Sequence, residues 1–285
     1  MSTALIKSAM LLAAGFGTRL GKLSQIRPKA LFPILNRPIL DIWLEKLRNM
    51  GVVKVVVNAH HNAQILEEYL LSARETYPEL EIIISKEDEI LGTGGGIKHA
   101  ADYFREAFFV INADIFTDFP LSRLVECYES KPGSLGVLAC GPFLSGTVSV
   151  GRENEILALR AGKVVENELM TLYGLGLMLL SPEVPKALPN GNSDVIFELN
   201  KLIKSGGRLF ASLLSQLQFT DIGTPRDYFL LNMTLANGGR FVEDGARIDG
   251  DVSGFLIAER GAVVKKGARV ENCILWRDAY VERDC

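Results

Sequence analysis

This 285-residue chain has little that would bind metals, form disulfides or enter membranes. Its four cysteines, Cys127, Cys140, Cys273 and Cys285, lie far apart and match no zinc or redox spacing, so they read as thiols of a reducing compartment. Histidine is scarce as well, with three in all, and the pair His60-His61 has no third ligand near it. Neighbours in extended chain point to opposite faces, so a structural or substrate-contact role is expected there. The apolar segment from Ser8 to Ala14 is far too short to span a membrane and carries no cleavage pattern, so the expected location is cytoplasmic. A net charge of −3 and a pI near 5.8 give no global attraction to nucleic acid or an anionic bilayer, and neither is expected as a partner. Apolar content is plentiful: 48% hydrophobic residues suffice for one large or two modest domains without help from metals or disulfides.

The stretch from Met10 to Pro33 draws the eye first. An apolar run short enough to be a buried strand ends in Gly15-Phe16-Gly17, where backbone can turn tightly and bring its amides close to a ligand. Arg19 then offers a planar cation and Lys29 a mobile point charge, a combination suited to a polyphosphate. Two better-known glycine motifs are excluded. The dinucleotide fingerprint needs a third glycine at Leu20, which argues against an NAD-dependent oxidoreductase; the Walker pattern needs glycine at Phe16 and a hydroxyl at Leu23.

Downstream, strand and helix patterns alternate. Pro38 opens a helix with Ile39, Leu40, Trp43, Leu44 and Leu47 at helical spacing and Gly51 at its stop. Runs at Val52 to Asn58, Ile82 to Ile84 and Phe108 to Asn112 read as buried strands, with a helix between the first two and a glycine loop at Gly92 to Gly96 leading into another. Such alternation predicts an α/β fold with a mostly parallel sheet covered on both faces. Ligands then sit beyond the carboxyl ends of the strands, which gathers the first glycine loop, Asn58 with His60, the second glycine loop and Asp114 around one crevice. In the middle third, Ile156 to Val165 reads as a hairpin turning at Ala161-Gly162-Lys163, and Thr171 to Leu180 as a long strand.

Gly-x-Gly-Thr-Arg-Leu followed by Pro28-Lys29-Ala30-Leu31-Phe32-Pro33 resembles the signature of the sugar-1-phosphate nucleotidyltransferases. The likeness continues through Leu91 to Gly96, Asn112-Ala113-Asp114 and Asp221 to Pro225. Within that family, Asn58-Ala59-His60-His61 and the triple glycine look most like bacterial mannose-1-phosphate guanylyltransferases and N-acetylmuramate-1-phosphate uridylyltransferases. The resemblance implies a Rossmann-like fold and transfer of a nucleotidyl group from GTP or UTP to a sugar 1-phosphate with Mg2+. The leading expectation is GTP with mannose 1-phosphate; UTP with N-acetylmuramate 1-phosphate and a catalytically silent nucleotide-sugar sensor are the alternatives. It implies catalytic roles for Arg19, Lys29 and Asp114, and metal ligation by Asp114 and Asp221. The nucleotide would meet Ala13, Ala14, Gly15, Gly17, Thr18, Arg19, Lys29, Gly92, Thr93 and Gly94. Glu87 is expected to accept hydrogens from a guanine edge, although Lys86-Glu87-Asp88-Glu89 reads equally as a solvated charge run. The sugar phosphate would meet Asn112, Glu166, Tyr173 and Gly174. Many relatives carry Glu-Lys-Pro where this chain has Glu166-Asn167-Glu168, so the usual lysine is missing and nearby Lys163 is the other cation to consider.

After Asn237-Gly238-Gly239 the texture changes. Gly245-Ala246, Gly261-Ala262 and Gly267-Ala268 recur beside Ile248, Val264 and Val270, which resembles the hexapeptide repeat of left-handed parallel β-helices. The expected division is a catalytic domain over residues 1–239 and a partial β-helix over 240–285, with the natural chain running further and the coils serving homo-oligomer assembly or stability more than chemistry.

Overall fold

Short apolar segments set the architecture, and a computed structural model describes residues 6–143, 146–160 and 165–285 of it. β1 (Ser8–Leu12) feeds a glycine loop that runs through α1 (Lys22–Ile26) to a small hairpin, β2 (Pro33–Ile34) with β3 (Arg37–Pro38), and then to α2 (Ile39–Asn49). β4 (Lys54–Ala59), α3 (Ala63–Thr76), β5 (Glu81–Lys86), α4 (Gly92–His99) and β6 (Phe108–Asn112) continue the alternation. After β7 (Ile115–Thr117) and α5 (Ser122–Glu129) come β8 (Gly136–Gly141), β9 (Val148–Val150), β10 (Ile156–Leu159) and β11 (Met170–Leu180). α6 (Glu183–Ala187), α7 (Val195–Lys204), β12 (Leu209–Leu213), β13 (Phe219–Asp221) and α8 (Pro225–Ala236) complete this part.

The main sheet runs β5-β4-β1-β6-β11-β8-β12, parallel throughout except for β11, which is antiparallel to both neighbours. Successive side chains of one strand enter opposite cores, as the two-residue period requires. Ala9, Leu11, Val55, Val57, Phe109 and Ile111 point into one. Met10, Val56, Phe108 and Val110 point into the other. Both faces are covered, which is why these strands are apolar without alternation. α2 buries the five residues its periodicity marks, Ile39, Leu40, Trp43, Leu44 and Leu47. It ends where Gly51, at φ 80°, donates to the Arg48 carbonyl while Val52 donates to Leu47. Left-handed backbone there is cheap only for glycine.

Two local expectations change. Gly92 to Gly96 is the first turn of α4 itself, not a loop before it. β10 pairs antiparallel with the preceding β9 rather than with a following strand, and the expected turn at Ala161-Gly162-Lys163 lies outside the described residues. The chain order reverses beside β1, since β4 and β5 build outward on one side and β6 on the other. That switch point opens a crevice beyond the carboxyl ends of β1, β4 and β6.

From Arg240 the chain forms two stacks of parallel strands. β14 (Arg240–Val242), β16 (Asp251–Ala258) and β18 (Arg269–Leu275) make one, and β15 (Arg247–Ile248), β17 (Val263–Val264) and β19 (Tyr280–Val281) the other. Partners such as Arg247 and Val263, then Val263 and Tyr280, lie 16 and 17 residues apart, about three hexapeptides per coil. Leu256, Ala258, Ala262, Val264, Ala268, Val270 and Leu275 fill the space between the stacks. Phe255 and Ile257 face the other way, against Ala236, Phe229 and Leu35. Among the described residues no helix is long and apolar enough to cross a membrane.

Burial pushes the Cys140 thiol up to about 12, whereas Cys285 is exposed. A neutral buried thiol is a poor nucleophile. In the folded protein at neutral pH a disulfide-exchange reagent should therefore modify Cys285 promptly and leave Cys140 untouched until denaturant is added, as peptide mapping by mass spectrometry will report.

Candidate nucleotide site

The crevice at the switch point is a cavity of about 400 Å³ whose floor is the loop after β1. Ala13, Ala14, Gly15, Gly17, Thr18 and Arg19 line it, joined by Lys29, Gly92, Thr93, Asn112 and Asp114 from other segments. Gly17 takes left-handed backbone at φ 62° and starts the short turn Thr18–Leu20 that carries Arg19. An added Cβ at Gly15 would meet nothing within 4 Å, so that backbone stands open to the cavity.

One lysine joins two carboxylates at the edge of this cavity. Lys29 Nζ donates to Asp114 Oδ2 at 2.5 Å and to Asp221 Oδ1 at 3.1 Å, with its side chain only 12% exposed. The two aspartates are 107 residues apart in sequence, and the β7–β13 pair brings them together by setting Asp221 opposite Ile115. Arg19 approaches from the solvent side, 3.8 Å from Asp221, its guanidinium packed on Gly223, where an added Cβ would lie 3.2 Å away. Thr224 caps α8 by accepting from Asp227 N, with Pro225 at the first helical position. Asp221 is thus delivered by the strand before a well-capped helix rather than acting as the cap.

The glycine loop is held from behind by a buried polar chain. Ala13 N donates to Asn58 Oδ1 at 2.7 Å, Asn58 Nδ2 donates to Glu87 Oε1 at 2.7 Å, and Glu87 Oε2 accepts from Leu91 N at 2.9 Å. Glu87 is 5% exposed, so it is neither part of a solvated charge run nor on the cavity wall. Its carboxylate accepts from Asn58 and from Leu91 N. His60 Nδ1 donates to the Glu87 carbonyl, 2.9 Å away, and both His60 and His61 pack on Phe16 at the loop tip.

The triple glycine has a packing reason. An added Cβ at Gly94 would lie 2.6 Å from Ser193 Oγ, at Gly95 2.1 Å from the Gly191 carbonyl, and at Gly96 2.8 Å from both Asn58 Nδ2 and Glu87 Oε1. Gly94 N donates to the Ser193 carbonyl at 2.8 Å, so Gly94 faces the 191–195 segment and not the cavity. Gly92 and Thr93 do reach the cavity wall.

A second cavity of about 260 Å³ adjoins the first at Thr93 and Asn112. Tyr173 and Gly174 from β11 line it, together with Asp221 and Phe219. Burial, with the Asp221 charge adding, pushes the Tyr173 phenol upward, so it stays a neutral hydrogen-bonding group. Glu166 is exposed and lines neither cavity; Lys163 lies outside the described residues. Arg160 was not singled out by sequence, yet it is the one lysine or arginine among the described residues lining the second cavity. Its guanidinium pairs with Asp194, the cap of α7, at 3.0 Å. An arginine just before Ala161-Gly162 gives no sequence signal of that placement.

The donor set bears on metal binding. No group of three or more His, Cys, Asp or Glu suited to a metal ion occurs among the described residues, but two carboxylates converge on one cation, Lys29. Magnesium is commonly held by one or two carboxylates with substrate phosphates supplying the rest, so Asp114 and Asp221 fit that ion.

A glycine-turn crevice at the switch point of a parallel sheet, facing a lysine and arginine among paired carboxylates, defines a nucleotide-binding α/β protein. Comparison with known proteins sharpens this. The nucleotidyl transferase family model matches residues 8–144. The D-glycero-alpha-D-manno-heptose 1-phosphate guanylyltransferase of Campylobacter jejuni is 30% identical, over 79% of this chain and 99% of that protein. Mannose-1-phosphate guanylyltransferase 1 of Arabidopsis thaliana is 28% identical over 96% of this chain and 82% of its own length. HddC from Yersinia pseudotuberculosis, solved complexed with GMP-PN, superposes with a TM-score of 0.63 at 25% identity, covering 81% of this chain and 100% of its own. The chain belongs to the nucleotidyl transferase family.

Tight glycine packing makes a quantitative expectation. Gly95→Ala must push the 191–193 backbone aside, and overpacking of this kind costs about 2–3 kcal/mol. Urea unfolding should report a lowered midpoint, whereas Gly15→Ala, with open space around it, should unfold like the parent.

Proposed function

We propose that this protein transfers a nucleotidyl group from a nucleoside triphosphate to a sugar 1-phosphate and releases pyrophosphate, with GTP and mannose 1-phosphate the preferred pair. The observation that carries the reading is the convergence of Lys29, Arg19, Asp114 and Asp221 at the mouth of the glycine loop. The guanylyltransferases among its relatives support the choice of GTP. UTP with N-acetylmuramate 1-phosphate is the competing pair.

Phosphoryl chemistry of this kind asks mainly for positioning and charge neutralisation. The amides of Ala14 and Gly15 and the Thr18 hydroxyl hold the triphosphate. Arg19 grips its outer phosphates as pyrophosphate departs, and Lys29 neutralises charge at the α-phosphate under attack. Magnesium, held by Asp114 and Asp221 with phosphate oxygens, supplies further charge neutralisation when bound. The hexose lies against Tyr173 and Gly174 with Asn112 beside it. With Asn167 where relatives carry lysine, Arg160 is the cation for the sugar phosphate. Glu87 supports the loop through Asn58 instead of reading the base. Residues 1–239 form the catalytic domain, and the strand stacks after Arg240 are coils of a left-handed β-helix through which copies associate.

Pyrophosphate release across a panel of triphosphates and sugar phosphates tests the activity. Release with GTP and mannose 1-phosphate is expected to exceed every other pair; no release with any pair would favour the catalytically silent sensor. Asp114→Ala should reduce turnover at least ~100-fold, on the scale of losing one transition-state contact, with the melting temperature nearly unchanged. Arg160→Ala should raise KM for the sugar phosphate about tenfold while KM for GTP stays put, the signature of lost binding at one substrate only.

A further inference from the structure

The segment that carries Lys29 is pinned from outside the central sheet. Arg27 forms a forked pair with Glu259, Nη1 to Oε1 at 2.8 Å and Nη2 to Oε2 at 2.9 Å, between side chains 17% and 9% exposed. The same guanidinium lies 4.9 Å over the Trp276 ring. The Trp276 indole N–H donates to the Tyr228 hydroxyl at 2.9 Å, and that hydroxyl donates to the Pro33 carbonyl at 2.9 Å. Phe32 meets both rings edge-on, at 4.8 Å from Trp276 and 5.2 Å from Tyr228. Farther along, Asn36 Nδ2 donates to the carbonyls of Phe241 and Ala258. Residues 27–36 are therefore fastened at both ends by the C-terminal stacks, with Lys29 between.

A buried ion pair adds little stability compared with apolar groups of the same shape, and its attested use is to fix one geometry. An arginine fork on a carboxylate fixes direction as well as distance. We propose that Arg27 and Glu259 are positioning residues that hold the Lys29 ammonium between Asp114 and Asp221, so that the C-terminal stacks take part in the chemistry. The inference rests on the nucleotidyl-transfer reading for its kinetic consequence, but not for its structural one.

Full-length Arg27→Gln, Glu259→Gln, their double variant and Arg27→Lys test it, by pyrophosphate release with GTP and mannose 1-phosphate and by hydrogen-exchange mass spectrometry. Misplacing a reacting group by about 1 Å can cost ~100-fold, so kcat is expected to fall ~10-fold or more in each Gln variant. KM for GTP should stay within about twofold, because the glycine loop is untouched. The double variant should lose no more than the worse single, and Arg27→Lys should recover part of the rate. Amide exchange should quicken over residues 27–36 and stay unchanged over residues 8–14. Normal kcat in folded variants, or a loss accompanied by faster exchange throughout the sheet, would overturn the proposal. Should the parent release no pyrophosphate with any pair, the activity reading fails on its own, and exchange over 27–36 still decides whether the pair holds the segment.

Discussion

The site depends on an ammonium shared between two carboxylates. Asp114 and Asp221 sit at the ends of short strands that meet only because β7 and β13 pair, and without a cation between them their charges would repel in a half-buried cleft. Lys29 arrives on a separate segment and closes the triangle. Three parts of the chain that share no sequence neighbourhood thereby define one point in space, and the glycine loop faces that point.

Around this centre the scaffold is rigid for reasons visible in its chemistry. The start of the loop after β1, at Ala13, is held from behind through Asn58 and the buried Glu87 carboxylate. That polar chain is satisfied at each link, the condition under which buried polar groups rigidify rather than destabilise. α4 presses on it closely enough that only glycine fits at Gly96.

Much of the fold was legible because buried strands and amphipathic helices announce themselves locally. β1, β4 and β6 read as continuous apolar runs, α2 by its spacing, and the loops after the strands by glycine and aspartate. The signals that misled were those whose meaning lies far away in the chain. Gly94 and Gly95 read as part of a loop because glycine disfavours helices, yet residues 191–195, about a hundred positions on, demand that absence of side chains. Glu87 sits among charged neighbours and read equally as a base contact or a solvated charge, but the chain after β5 carries it inward onto Asn58. Arg160 lines the second cavity through a fold-level accident of β10 pairing backward with β9. Arg27 and Glu259, 232 residues apart, carry no local mark of their partnership.

That last separation has a consequence for biosynthesis. Ribosomes deliver the amino-terminal half first, at roughly 5–20 residues per second, and early segments begin to fold as they emerge. The Lys29 segment emerges well before Glu259 and Trp276, which fasten it from just beyond β16 and β18. A nascent chain with its central sheet already assembled still lacks the contacts that fasten the Lys29 segment, and the stretch that supplies them follows more than two hundred residues later.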